Sequence, residues 1–438
     1  MGVEDATEDH LYAAMDWLLA RQTAIETTLA GRHLSAGGLV LYDLTSSYME
    51  GTTCPLAHYG HNRDGKRDKL QVNYGLITDK RGCPVAVSVF DGNVADTKTL
   101  APQVTRLRET FGIREVVLVG DRGMISDRAI TDFREHEGLA WITALKTGQI
   151  RTLLEGGHLQ LGLFDERNLF ELRHPDHRDE RLVACRNPEL AKLRAHKRQE
   201  LLEATERELT KVQRAVEAGR LHGRDQIGLR AGRVINKYKV AKHFTLTIED
   251  RRFTFARRQA RIEVEASLDG IYLIRTNVPA SRMSADDAVR NYKALSHVER
   301  AFRTLKTIDL HVRPIHHRTA DRVRSHILLC MLAYYVEWHM REAWRPLLFA
   351  DEDQVAKVFR DPVAPARRSA AADEKAATHL TTDGVPVHSF RTLLDSLTTI
   401  VRNRCRARGH DEKATFAVTT TPTPEQRHAM TLLKEMAV

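Results

Sequence analysis

Apolar and polar positions divide the chain into a strand-rich first third, a highly charged middle and a helical end. From about Asp9 to Leu34, the residues Leu11, Met15, Leu18, Leu19 and Ile25 recur at helical spacing, predicting one or two amphipathic helices that lead into the first strand. Two continuous apolar runs, Leu39 to Tyr42 and Val116 to Val119, have the length of strands buried on both faces. Between them Leu70, Val72, Tyr74 and Leu76 alternate with Gln71, Asn73 and Gly75. Val85, Val87 and Val89 alternate in the next run, with Arg81-Gly82 as the turn. A helix is predicted over roughly Asp96 to Phe111, with Leu100, Val104 and Leu107 on one side and Asp96 as its N-cap. A further helix from about Ser126 to Glu135 and a short strand around Trp141 to Leu145 complete this third.

The middle third behaves differently. A long charged helical stretch, about Glu189 to Val216, carries a thin apolar stripe of Leu190, Leu201, Leu209 and Val212, and strands are expected near Arg233 to Lys239, Phe244 to Ile248 and Arg261 to Ala266. This reads as an inserted domain. Its basic runs, Lys192 to Arg198 and Arg257-Arg258, suit a solvated surface or a polyanion's backbone equally well. A strand at Ile271 to Arg275 returns the chain to the core and is followed by a helical stretch from Tyr292 through Glu299 to Lys306. A second helix, Asp321 to Met340, puts Val323, Ile327, Met331 and Tyr335 at core spacing. Ala364 to Gly384 is rich in Ala, Thr and charge and reads as a linker or surface loop, and helices at Phe390 to Val401 and Thr423 to Met436 close the chain.

Strand, hairpin strands, helix, strand, helix, strand is the order of an RNase H-like sheet. The expected fold is therefore α/β: an RNase H-like mixed sheet flanked by helices, interrupted by an α+β insertion. The parts are a helical lead-in (1–36), the first part of the core (37–150), the insertion (151–268), the second part of the core (269–345), and a linker with C-terminal helices (346–438).

Composition narrows the partners. With 438 residues the chain can bury at least one large core and has room for two or three domains. Its 67 basic and 58 acidic residues give a net charge of +9 and a pI near 9.3, which favours a polyanionic partner. Cys54, Cys83, Cys185, Cys330 and Cys405 are scattered without a C-x-x-C pair and read as reduced cytoplasmic thiols, not as a disulfide framework or zinc knuckle. Cys54, His58 and His61 have a loose metal-like spacing but no fourth ligand, so no zinc is assigned to them. The start of the chain is acidic (Glu4, Asp5, Glu8, Asp9), and no apolar window reaches membrane-spanning length, so a soluble protein that is not exported and has no membrane partner is expected.

The chemistry rests on three acids. Both continuous apolar runs lead into an aspartate, Asp43 and Asp121, at the C-terminal ends of strands that would be neighbours in such a sheet. On the downstream helix, Tyr292, Glu299 and Lys306 are seven residues apart and share a slowly drifting stripe, beside an apolar stripe of Leu295, Val298, Phe302 and Leu305. Glu299 thus stands at the edge of the buried face, able to lean toward the strand ends. Two or three converging carboxylates suffice to hold divalent ions for in-line displacement at phosphorus.

These residues resemble the DDE transposases of bacterial insertion sequences, specifically the group whose third block has the pattern Y-x2-R-x3-E-x6-K. Here Tyr292, Glu299 and Lys306 match in register, and Leu295 occupies the arginine position, where Arg303 or Arg300 could replace the missing phosphate contact. Three further stretches are similar to that group: Tyr42 to Ser47, Val119 to Met124, and Gly60 to Asp64 through Phe90 to Asn93. The resemblance spans about residues 9 to 345. It implies that Asp43, Asp121 and Glu299 are catalytic and hold two Mg²⁺ or Mn²⁺ ions, and that Tyr292 and Lys306 contact DNA or its phosphates.

It further implies double-stranded DNA partners (element ends and target), a homodimer in a synaptic complex, cytoplasmic bacterial localisation at the nucleoid, and more chain before the first Asp than this sequence has. The lead-in is accordingly read as a remnant of a longer N-terminal DNA-binding region. Arg63, in a loop with Lys66, Arg67 and Lys69, and Arg313, near His316, His317 and Arg318, are further candidate phosphate contacts. Two alternatives remain open at this point: a non-catalytic or truncated transposase-derived DNA-binding protein, and an RNase H-like nuclease without strand transfer.

Overall fold

The computed structural model describes residues 5–164, 167–308, 310–364, 367–406 and 415–436. Glu4 of the acidic start and positions 365 and 366 of the expected linker lie outside them. The chain forms two compact units. One comprises Met1–Ile142, Arg290–Asp361 and Ala366–Val438, the other Thr143–Val289 with Pro362–Pro365.

The first unit begins with helices α1 (Glu8–Leu19) and α2 (Gln22–His33). The lead-in is firmly tied down through one acid: Glu26, fully buried on α2, accepts the Val87 amide at 2.9 Å and pairs with Arg106. Strands β1 (Leu39–Tyr48), β2 (Gln71–Asp79) and β3 (Pro84–Asp91) form an antiparallel meander, with Gly82 taking a φ of +86° in the second turn. Helix α3 (Asp96–Thr105) runs into a π-helical turn, Arg106–Thr110, and leads to β4 (Val116–Val119). Helix α4 (Asp127–Arg134), N-capped by Ser126, precedes β5 (Leu139–Ala144).

The strand order in this unit is β3-β2-β1-β4-β5, with β4 parallel to β1 and β5 parallel to β4. An antiparallel meander extended by parallel strands is the RNase H-like arrangement that the order of elements predicts. Residues of β4 and β5 are buried throughout, as expected of strands covered on both faces. Tyr42 lies flat over Gly75, where a Cβ would come within 2.2 Å of its hydroxyl, so only glycine fits opposite this fully buried ring.

The second unit contains α5 (Thr147–Glu155), β6 (Leu169–Leu172), β7 (Arg181–Arg186), α6 (Pro188–Glu217), α7 (Arg224–Tyr238), the hairpin β8 (Phe244–Glu249) and β9 (Arg252–Arg257), α8 (Gln259–Ala266) and β10 (Ile271–Thr276). Strand β7 pairs antiparallel with both β6 and β10. Two of the strands expected from sequence are helices. In α7, Ile227, Ala231, Ile235 and Tyr238 recur at helical spacing and pack on one cluster with Leu209 and Phe244; a window opened at Arg233 misses the first two. In α8 the alternation of Ile262 and Val264 with glutamates imitates a strand, yet only Ile262 packs inward and Val264 stays 43% exposed.

One buried ion pair crosses this unit. Arg275 on β10 donates to Glu180 at 2.6 and 2.8 Å, and both side chains are buried. Burial alone would raise the Glu180 carboxyl, but hydrogen bonds from His177 and Arg275 and the arginine's charge hold it down at about 2, from 4.5. A depressed carboxyl contributes stability above its unfolded pKa and loses it as the pH falls through the folded one. The unit is therefore expected to lose on the order of 3 kcal/mol between about pH 4.5 and pH 2, since each tenfold change in proton affinity is worth about 1.36 kcal/mol. Hydrogen exchange along β7 and β10 checks this: Glu180→Gln should flatten the pH dependence of protection, and identical slopes in variant and wild type would rule out the assignment.

The chain re-enters the first unit along α9 (Ala285–Lys293), then α10 (Leu295–Arg303) and a π-helical turn, Thr304–Ile308. Tyr292, Glu299 and Lys306 are therefore not on one continuous α-helix, because the chain breaks at Ala294 and widens after Arg303. Helix α11 (Ala320–Ala343) buries Val323, Ile327, Met331 and Tyr335 as expected. Beyond it lie α12 (Gln354–Phe359), α13 (Ala370–Thr378), α14 (Phe390–Leu397), the hairpin β11 (Arg402–Arg406) and β12 (Thr415–Thr419), and α15 (Pro424–Glu435). The expected linker thus contains a helix. Alanines favour α13, Ser369 caps it, and the buried Lys375 ammonium donates to the Leu348 carbonyl at 3.0 Å. No described helix is long and apolar enough to cross a membrane.

Candidate active site

Strand register brings the first two acids together. Leu41 on β1 is the parallel partner of Val119 on β4, and Asp43 and Asp121 each lie two residues further on. Asp121 stands just past the end of β4, as expected, whereas Asp43 lies within β1, which continues through buried Leu44 to Ser47 as far as Tyr48 and does not end at the acid as the apolar run suggested. Asp43 is half-buried, with the Leu44 amide on Oδ1 at 2.8 Å. Asp121 follows the sharp exit at Gly120 and is exposed. Its Oδ1 accepts the amides of Gly123 at 3.0 Å and Met124 at 2.8 Å, which fixes the carboxylate and leaves Oδ2 without a partner among the described residues.

Helix α10 supplies the third acid. Leu295, Val298, Ala301 and Phe302 are its buried face, and the Phe302 ring meets Tyr74 of β2 edge-on at 5.8 Å. Glu299 stands on the opposite rim, exposed, with no hydrogen-bond partner among the described residues. Asp43, Asp121, Glu299 and Phe302 line one cleft of about 410 Å³, together with Leu44, Thr45, His61, Arg63 and Asp96.

The acids sense one another. Burial pushes the Asp43 carboxyl up to about 7, opposed by the Leu44 amide and by Arg63 and reinforced by the charges of Asp121 and Glu299. Tyr292 is pushed up to about 12, chiefly by burial, with Asp121, Glu299 and Asp43 adding to it and Arg122 opposing. Its half-buried ring thus stands in the field of all three carboxylates. This is an anionic cleft with hard oxygen donors and little compensating charge, and its donor set fits divalent ions such as Mg²⁺.

The other expected site residues divide. Arg63 lines the cleft, its guanidinium donating to Asp96 at 2.6 Å and its own amide to Ser46 Oγ at 3.2 Å. Lys306 and Arg313 instead point at Asp64, Lys306 at 2.9 Å, and Lys306 is only 8% exposed. Neither offers a free cation to a phosphate in this arrangement, which departs from the phosphate contact expected of them. The π-helical turn after Arg303 turns Lys306 inward, off the Glu299 stripe. Arg303 is exposed at the end of α10 and does not line the cleft.

Asp96 was not anticipated in the cleft. It is the first residue of α3, where Ala95 is the N-cap, and it braces Arg63 where a cap was expected. The signal was close by, in the stretch ending at Asn93 three residues earlier.

A mixed sheet thus gathers an aspartate within β1, an aspartate just past β4 and a helix-borne glutamate onto one cleft. The chain matches the Transposase DDE domain family over residues 36–336 and belongs to that family. No curated protein matches it. Among solved structures, the piggyBac transposase synaptic complex with hairpin DNA is similar at 10% identity and a TM-score of 0.36, with 87% of this chain and 60% of that chain covered. The chain thus spans less than two thirds of that protein's length.

Proposed function

We propose that this chain is a metal-dependent transposase that cuts DNA at the ends of an insertion sequence and joins those ends to target DNA. The convergence of Asp43, Asp121 and Glu299 on one cleft, with the Asp43 carboxyl raised by burial and by its two partners, carries this reading. In it the three acids hold two Mg²⁺ or Mn²⁺ ions. Bound there, the ions would supply activation of the attacking oxygen and stabilisation of the leaving oxygen at phosphorus.

The protein's own contributions are positional. The Gly123 and Met124 amides aim Asp121, the Leu44 amide aims Asp43, and α10 holds Glu299 on the opposite rim through its buried apolar face. Arg63, braced by Asp96, directs a guanidinium into the same cleft, where it suits a phosphate oxygen. Tyr292 presents a neutral hydroxyl beside the acids. Double-stranded DNA as partner agrees with the basic balance of the chain, and pairing of two element ends implies a homodimer at synapsis.

The test is a labelled duplex carrying the flanking element ends, incubated with Mg²⁺ or Mn²⁺ and a second target duplex. Metal-dependent nicking followed by a joined product is the expected result. Nicking without joining would replace the transposase by a nuclease, and binding without nicking would replace it by a DNA-binding protein.

A further inference from the structure

On the first unit, away from the acidic cleft, three side chains from distant parts of the sequence meet. His33 ends α2, Cys83 lies in the β2–β3 turn, and His339 lies on α11. Both imidazoles direct Nε2 at the same sulfur, His33 at 3.9 Å and His339 at 4.0 Å from Cys83 Sγ. All three candidate donor atoms lie within 4.8 Å of one another. The geometry points to a second metal site, in which His33, Cys83 and His339 bind a zinc-like cation as a clip between α2, the β2–β3 turn and α11.

The donor set selects the ion. Two imidazole nitrogens and a thiolate suit Zn²⁺ or Co²⁺ and are a poor match for Mg²⁺, which requires oxygen. With Zn–N near 2.0–2.1 Å and Zn–S near 2.3 Å, tetrahedral ligands stand roughly 3.3–3.7 Å apart, so the observed spacing needs only a modest contraction. Burial lowers both His33 and His339, at His339 followed by the charge of His33, with Arg81 and Arg32 adding to it and Asp79 opposing.

The sulfur is fully buried, and burial, followed by the charge of Asp79, raises its thiol. Binding therefore exchanges the Cys83 proton for the cation, a sulfur–metal bond forming as the S–H bond breaks and the proton passes to solvent. The turn is already rigid, because Asp79 Oδ1 accepts the Cys83 amide at 2.9 Å. Tyr335, whose hydroxyl is 2.9 Å from His33 Nε2, would exchange that hydrogen bond for one to a water completing the coordination. Both histidines are half-buried, which leaves a path for the ion.

The test uses the full chain, stripped with chelator and titrated with Zn²⁺ and, separately, Co²⁺. One high-affinity ion per chain is expected, with a thiolate-to-cobalt charge-transfer band and a rise in Tm on Zn²⁺ addition. His339→Asn, a half-buried position chosen to preserve the fold, should weaken binding by at least about a hundredfold, and Cys83→Ser should abolish the charge-transfer band. Asp121→Ala, in the separate acidic cleft, should leave band and affinity unchanged. Absence of the band in wild type, or zinc affinity unaffected by His339→Asn, would overturn the site and leave Cys83 as a packed thiol.

Discussion

Replacing Asp43 or Asp121 by alanine, or Glu299 by glutamine, is expected to reduce DNA cleavage at least roughly a thousandfold, because losing several kcal/mol of charge stabilisation at phosphorus costs a factor of ten per 1.36 kcal/mol. Fold and non-specific DNA affinity should survive. Asp121 and Glu299 are exposed and carry no side-chain ion pair among the described residues, so removing them leaves no buried partner stranded. Asp43 differs in degree: its carboxyl is pushed up by burial and by its acidic neighbours, so alanine there should relieve both and raise Tm slightly even as activity vanishes. The assay measures nicking of a duplex with element ends at fixed Mg²⁺, alongside Tm and salt-dependent DNA binding. Cleavage retained in any one variant removes that residue from the catalytic set. Cleavage lost together with cooperative unfolding would show a structural role instead.

Of the two aspartates, Asp121 was legible as the polar group at the exit of a strand covered on both faces, whereas the run ending at Asp43 misplaced a strand end, because buried Leu44 to Ser47 carry β1 on to Tyr48. Strand pairing then needed only the order of elements. Glu299 was legible from the apolar face beside it, since Leu295, Val298 and Phe302 must pack and thereby fix where residue 299 points. Lys306 was not, because a heptad argument assumes unbroken α-helical phase, and the π-helical turn at Thr304–Ile308 alters that phase. Period-two patterns misled at Arg261 to Ala266, where alternating glutamates on a short exposed helix look like one face of a strand. Ala-rich composition misled at α13, where helix propensity and a buried lysine outweigh the loop signal. The cluster of His33, Cys83 and His339 could not be read at all: its members are separated by tens to hundreds of residues, and no spacing rule reaches across three elements.

Asp64→Ala is expected to destabilise the first unit by roughly 3–5 kcal/mol, the range for stripping one partner from a buried ion pair. The Asp64 side chain is 1% exposed and receives Lys306 on Oδ1 at 2.9 Å, Arg313 on the same oxygen, and the Tyr48 amide on Oδ2 at 3.2 Å. Burial, with Arg313 and Arg63 beside it, already pulls the Lys306 ammonium below its ordinary value, and only Asp64 opposes this. Without the carboxylate, two cations share a site with no counter-charge. The loop should also loosen, since residue 64 directly follows Arg63, which lines the acidic cleft. Activity is therefore expected to fall beyond what the unfolded fraction explains. Adding Lys306→Met to Asp64→Ala should recover part of the stability, because it removes one stranded charge and keeps the volume, and a double-mutant cycle on Tm and denaturant midpoint measures that coupling. The opposite pattern would reassign the lysine: if Lys306→Met leaves stability untouched while lowering DNA affinity and its salt slope, Lys306 swings out to a phosphate, as the Tyr–Glu–Lys pattern implies. Strong coupling with unchanged affinity would instead make it a positioning residue, holding the Arg63 loop against the end of β1.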